Sequence, residues 1–139
     1  MERSLVLIKP DAIQRKLTRI ILTRLEKQGL KLVVSKMLQI DRALAQQLYA
    51  IHKDKPFFEG LVNYISSAPI IAAVFEGEKA VEVIRKTMGA TDPAKAGAGT
   101  IRGDFGLNIE RNTIHGSDSV ETAKREIKLF FTKGEIQSY

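Results

Sequence analysis

The sequence predicts an α+β sandwich of the split β-α-β (ferredoxin-like) kind, with a four-stranded antiparallel sheet, a helical-hairpin insertion and a long loop before the last strand. Three observations carry the prediction. Short apolar runs at Ser4 to Lys9, Leu30 to Leu38 and Ile70 to Phe75 read as strands. Helical periodicity fills the intervals between them. The stretch from Ala90 to Asp104 has no periodicity and precedes a fourth strand expected within Phe105 to Ile114. A chain of 139 residues is one domain by length, spanning residues 1–139 and large enough for a proper core.

Ser4 to Lys9 stops at Pro10, which cannot continue a strand ladder, so Lys9 lies where a strand hands over to a loop. Leu17, Ile20, Ile21 and Leu25 then recur at helical spacing, with Gly29 as the stop before the second strand. Asp41 reads as the N-cap of a helix to about His52, with Leu44, Leu48 and Ile51 on one face. Pro56 suits the first turn of the next helix, in which Phe57, Leu61, Tyr64 and Ile65 share a side. These two helices form the hairpin insertion, and Phe57, beside its charged turn, is expected to be partly exposed and available for stacking. Ile70 to Phe75 is apolar throughout and therefore central.

Glu78 to Met88 places Val81, Ile84 and Met88 inward, leaves Arg85 on a flank and ends at Gly89. Loops as long as Ala90 to Asp104 are usually functional in compact domains. The Gly97 to Gly103 segment misses a dinucleotide fingerprint by one residue, and no Walker A sequence occurs. Phosphate binding would therefore rest on side chains, with Lys9, Arg85, Thr91, Arg102 and Asn112 as candidates. The last helix covers Ser119 to Phe130, and a short tail follows Phe131.

The apolar fraction of 44% and charged fraction of 27% are ordinary for a globular protein. Leu5 to Ile8 is broken by Lys9 and Pro10, far short of a signal-peptide core or membrane span, so a cytoplasmic protein without membrane attachment is expected. The absence of cysteine excludes disulfides and thiolate chemistry, and two distant histidines argue against structural zinc. A net charge of +6 favours anionic partners, although the basic residues are dispersed.

Chemistry concentrates at Arg111 to Ser119. Asn112, His115, Ser117 and Asp118 crowd four polar side chains into seven positions. An imidazole titrates near neutrality, so at pH 7 much of it offers a ring lone pair to an electrophile. Gly116 allows a tight turn and close approach of a ligand. Asp118 and Glu121 read as a capping box, starting a helix just after the histidine. Glu126, about two turns beyond Ser119, returns to the same helix face and can aim a carboxylate at His115. An inert turn and a surface glutamate are the plain alternatives.

Asn112-Thr113-Ile114-His115-Gly116-Ser117-Asp118-Ser119 resembles the active-site signature of the nucleoside diphosphate kinase family. Leu7 to Ala12, Lys55 to Leu61 and Gly99 to Asp104 resemble the family's other blocks, in the family's order. The resemblance implies a γ-phosphoryl transfer from a nucleoside triphosphate to a nucleoside diphosphate, by a ping-pong mechanism through phosphohistidine at His115, with broad base specificity. It implies that Phe57 stacks on the base, that Leu61 belongs to the same nucleotide site, and that Lys9, Arg85, Thr91, Arg102 and Asn112 contact phosphates and sugar. Tyr49, Ser117 and Glu126 match positions that orient the histidine or shape the pocket. Mg²⁺ is expected, held mainly by nucleotide phosphates, with Asp118 reaching it through water.

By the same resemblance the chain is expected to form a homo-oligomer, a hexamer or a tetramer. Lys16, Arg19 and Glu110 stand where the family commonly has glycine, and Ile20 replaces a usual acid. Two rival classes share features with this sequence. RNA-recognition domains share the split β-α-β fold but carry paired aromatics on a central strand, which Ile70 to Val74 lacks, so nucleic-acid binding is expected to be at most weak and non-specific. A catalytically silent regulator of the same fold is disfavoured by the intact Lys9, Arg102, Asn112 and His115.

Overall fold

The computed structural model describes residues 1–139. Leu5 to Ile8 have no exposure at all, because the strand they belong to, β1 (Glu2–Ile8), runs inside the sheet between β3 (Ile70–Gly77) and β4 (Ile114–Gly116). With β2 (Lys31–Leu38) at the other edge, the order is β2-β3-β1-β4, and every pair is antiparallel. Alternate residues of β1 face opposite sides. Leu5 and Leu7 enter one apolar cluster, Val6 and Ile8 another. Helices cover both faces, which is why β1 and β3 read as continuous apolar runs and not as alternating ones.

On the Leu5 face lie α3 (Arg42–Leu48), α4 (Phe58–Ile65) and α7 (Val120–Phe130), contributing Leu48, Val62, Ile65 and Phe130. On the Val6 face lie α2 (Thr18–Glu26), α5 (Ala80–Met88) and α6 (Ile101–Phe105), contributing Ile21, Leu25, Ile84, Met88 and Ile101. Each such side chain, fully buried, contributes about 1.5–3 kcal/mol. The predicted α+β split β-α-β sheet with its helical hairpin is therefore the fold observed.

Several elements differ from the sequence reading. Pro10 does more than end β1: it occupies the first turn of a short helix, α1 (Pro10–Gln14), where a missing N–H costs nothing. The helix capped by Asp41 ends at Leu48, and a 3-10 turn (Ala50–His52) leaves Ile51 68% exposed. The next helix begins at Phe58, beyond Pro56, so its buried stripe is Phe58, Val62 and Ile65, with Phe57 outside. Ile20 is also exposed.

The long loop contains a 3-10 turn (Pro93–Lys95) and α6, whose N-cap Thr100 accepts the Gly103 N–H at 3.0 Å. Phe105 thus ends a helix, and the fourth strand is only three residues long. Ser119, not Asp118, caps the last helix, its hydroxyl accepting the Thr122 N–H at 3.0 Å. The tail turns back onto the edge strand, with the Gln137 N–H donating to the Val33 carbonyl at 3.0 Å.

Gly116 fixes how closely α5 approaches β4: a Cβ there would lie 2.7 Å from Met88 Sδ and 3.1 Å from Ile84 Cγ2. Gly116→Ala is expected to cost about 1–3 kcal/mol by overpacking, lowering the thermal midpoint by several degrees. Gly134→Ala, at an open position, should leave the midpoint within a degree of the parent and serves as the control.

Candidate active site

Three separate stretches of chain meet where β1 ends and β4 begins. Leu7 pairs with His115 and Ile8 with Ile114, and the Lys9 N–H extends the ladder by donating to the Thr113 carbonyl at 2.9 Å. Lys9 is only 4% exposed. Its Nζ donates to Asn112 Oδ1 at 2.8 Å and to the Glu110 carbonyl at 3.3 Å. Burial, then the nearby Arg102 charge, lowers the Lys9 pKa to about 8, opposed by Asp11 and Glu110. Asn112 Nδ2 donates in turn to the Thr91 carbonyl at 2.9 Å, tying the long loop to the strand.

Arg102 comes from α6 and is also buried. Its guanidinium donates to the Gly89 carbonyl at 3.2 Å and to the Ile114 carbonyl at 2.7 Å, while its buried Nε has no partner. Gly89 ends α5 with φ of +87°, a conformation glycine adopts without strain. Burial, then the Arg85 charge, lowers the Arg102 pKa to about 10, so it stays charged at neutral pH. Arg85 itself is exposed on α5. None of Lys9, Arg85 and Arg102 is ion-paired with a carboxylate. Buried cations left unneutralised are costly, and an anionic ligand relieves that cost.

The loop that delivers Arg102 is pinned from α2. Arg24 pairs with Asp104 at 2.7 Å, lies 4.8 Å from the Phe105 ring centroid and donates to the Gly99 carbonyl. The Gly99 N–H, then Arg24, holds the Asp104 carboxyl below its usual pKa.

His115 follows Ile114, whose carbonyl Arg102 holds, and reaches α7. Its Nε2 is 3.0 Å from Glu126 Oε1, which also accepts the Ser117 hydroxyl at 2.7 Å. Glu126 is 3% exposed, and because a carboxylate accepts, this contact favours the neutral tautomer with the proton on Nε2, which leaves the Nδ1 lone pair free. Tyr49 closes one side, its ring edge-on to the imidazole at 6.0 Å. Burial, then Glu126, pushes the Tyr49 pKa up, so its hydroxyl stays protonated.

Phe57 is 50% exposed, as its place beside the charged turn suggested, and packs against His52 at 5.3 Å between centroids. His52 in turn lies 6.5 Å from Tyr49. Leu61 is half-buried on the same helix. Asp118 and Arg85 line one surface groove with Gly89 and Ala90. The structure thus gathers Lys9, Arg102, Asn112, His115, Ser117, Glu126 and Tyr49 directly, with Thr91 joined through its carbonyl. Arg85, Phe57, Leu61 and Asp118 form more exposed parts.

Of the departing positions, Lys16 holds a φ of +61°, which explains a usual glycine there, whereas Arg19 lies exposed within α2. Glu110 extends over Gly60, its Oε2 3.2 Å from where a Cβ would be. Three residues to which sequence reasoning gave no role in the site are linked to one another just ahead of His115. Thr113 has φ of +75°, an outlier for a β-branched residue that costs about 1–3 kcal/mol. Its N–H donates to buried Asp11 Oδ2 at 3.1 Å, and Asp11 Oδ1 accepts the Tyr64 hydroxyl at 2.7 Å. A carboxylate just past a strand end was the available signal.

The family model for nucleoside diphosphate kinase matches residues 2–136. The chain belongs to that family. A nucleoside diphosphate kinase of Dehalococcoides mccartyi is 60% identical over all 139 residues, covering 98% of that protein, and one of Staphylococcus epidermidis is 55% identical, with 93% of it covered. Among solved structures, the Halobacterium salinarum nucleoside diphosphate kinase in complex with CDP superposes with a TM-score of 0.96. It is 49% identical, over 99% of this chain and 92% of that one. A Babesia bovis family protein gives 0.95 at 42% identity, over 100% and 94%. Membership makes the chain a phosphotransferase acting between nucleoside tri- and diphosphates, and the family uses a divalent cation. No helix is long and apolar enough to cross a membrane.

Lys9 supplies a positive charge only while protonated. The kcat/KM of the free enzyme is therefore expected to fall as pH rises through about 8, with a limiting slope of minus one. A profile flat to pH 10 would remove Lys9 charge from the site's chemistry.

Proposed function

We propose that His115 Nδ1 is the phosphoryl carrier. Its lone pair attacks the γ-phosphorus in line, the N–P bond forms as the β–γ bridging P–O bond breaks, and the diphosphate leaves with the bonding pair. A second diphosphate then takes the phosphoryl group by the reverse displacement, giving ping-pong kinetics. The observation that supports this most is the hold on the imidazole: Glu126 contacts Nε2 at 3.0 Å, while two cations free of carboxylates are tied to the residues leading into His115, Lys9 Nζ to Asn112 Oδ1 and Arg102 to the Ile114 carbonyl.

Phosphoryl transfer has a loose, highly charged transition state, so positioning and fixed positive charge are what the protein must supply. Lys9, Arg85 and Arg102 provide charge, Asn112 and Thr91 neutral donors. Ser117 and Tyr49 keep Glu126 and the ring in place. Phe57 stacks on the base with Leu61 beside it, and stacking tolerates any base, hence broad specificity.

The protein contains no cluster of three or more His, Cys, Asp or Glu side chains suited to a metal. The site fits a cation carried by nucleotide phosphates, with Asp118 at the groove as the carboxylate that would reach it through water. We assign this role to Mg²⁺, which keeps waters and binds phosphates readily and would neutralise phosphate charge when bound. The Halobacterium complex with CDP supports nucleotides as ligands. A cytoplasmic location and a homo-oligomer, hexamer or tetramer, complete the proposal, and nucleic-acid contact is at most weak and non-specific.

Incubation with γ-labelled ATP and Mg²⁺ should place an acid-labile, base-stable label on the protein, discharged by GDP and absent in His115→Ala. Near-normal ATP to GDP exchange by His115→Ala would overturn the mechanism. Light scattering should give a mass several times that of one chain, and a monomer at working concentration would reject the assembly.

A further inference from the structure

We propose that Asp11 and Tyr64 form a latch that positions His115 by holding Thr113 in its left-handed conformation. This rests on the reading of His115 as the phosphoryl acceptor. The Asp11 carboxylate is buried and makes no ion pair. Its two oxygens are divided between two tasks: Oδ2 accepts the Thr113 N–H at 3.1 Å and Oδ1 accepts the Tyr64 hydroxyl at 2.7 Å. The Tyr64 oxygen also accepts the Asp11 backbone N–H at 2.8 Å, so the pair is doubly joined and the carboxylate cannot rotate freely. Burial, then the hydrogen bond to Asp11, raises the Tyr64 pKa, which keeps the phenol a donor.

The conformation at Thr113 matters because of what flanks it. One residue earlier is Asn112, whose amide holds Lys9 Nζ, and two residues later is His115. The Thr113 carbonyl accepts the Lys9 N–H. A β-branched residue at φ of +75° relaxes toward negative φ unless its surroundings prevent it. Relaxation would turn the peptide planes on either side and shift Asn112 and His115 relative to Lys9. Tyr64 belongs to α4, whose N-terminus carries Phe57, so the latch also ties the stacking hairpin to the phosphoryl acceptor. Asp11 and Tyr64 touch neither substrate nor the reacting nitrogen in this scheme, and are positioning residues.

The test is a rapid-quench measurement of His115 phosphorylation by ATP with Mg²⁺, in the full chain. Tyr64→Phe and Asp11→Asn should each slow phosphorylation roughly tenfold or more while the Kd for ADP changes by no more than about twofold. The decisive arm is Thr113→Gly, because glycine adopts positive φ without help. In the Thr113→Gly background, adding Tyr64→Phe should cost no more than about twofold, a loss far from additive. Equal losses in both backgrounds, or a weakened Kd with an unchanged rate, would overturn the latch. If Asp11→Asn does not fold, the Tyr64 and Thr113 cycle decides alone. A parent protein that takes no label on His115 overturns the functional reading itself, whereas a labelled parent with Tyr64→Phe at the parental rate overturns only the latch.

Discussion

The pairing of β4 with β1 is the constraint on which everything else depends. It consists of three residue pairs, extended by the bond from the Lys9 N–H to the Thr113 carbonyl. Because Ser4 to Ile8 of β1 are fully buried and held on the other side by β3, they form a rigid reference edge. Setting Leu7 opposite His115 brings the imidazole and Lys9 together although they are far apart in sequence. A slip of one residue would turn His115 to the opposite face, away from Glu126.

Electrostatics then gives this edge its purpose. Lys9 and Arg102 are buried and bound to neutral groups, carbonyls and an amide, which satisfy hydrogen bonds without cancelling charge. The one buried carboxylate in contact with the imidazole, Glu126, is occupied by the ring and Ser117. The site therefore keeps its charges apart: the Glu126 carboxylate is engaged by the ring and Ser117, and the two buried cations carry no carboxylate partner. Such preorganised charge needs no rearrangement as a phosphoryl group develops its transition-state charge.

Much of this was legible in the sequence, for identifiable reasons. Strand and helix patterns were strong because both sheet faces are covered, and Asp41 announced its helix by side-chain chemistry alone. The helical spacing from Ser119 to Glu126 allowed a carboxylate to return to His115, although by spacing alone a surface glutamate was the plainer reading. Three features were hidden. The helix α6 is too short for periodicity, and tertiary ties from Arg24 and Thr100 order it. The brevity of β4 reflects loop geometry between Phe105 and Ile114. The positive φ at Thr113, which we ascribe to the hold of Asp11 and Tyr64, 102 and 49 positions away, has no local hint in a threonine.

The central claim is that Glu126 decides which ring nitrogen reacts. Nitrogen-15 NMR of the phosphorylated protein, labelled at histidine, tests it most directly through coupling to phosphorus. The account predicts a phosphorus-coupled Nδ1, with Nε2 still carrying its proton against Glu126. Phosphorus bonded to Nε2 would contradict it.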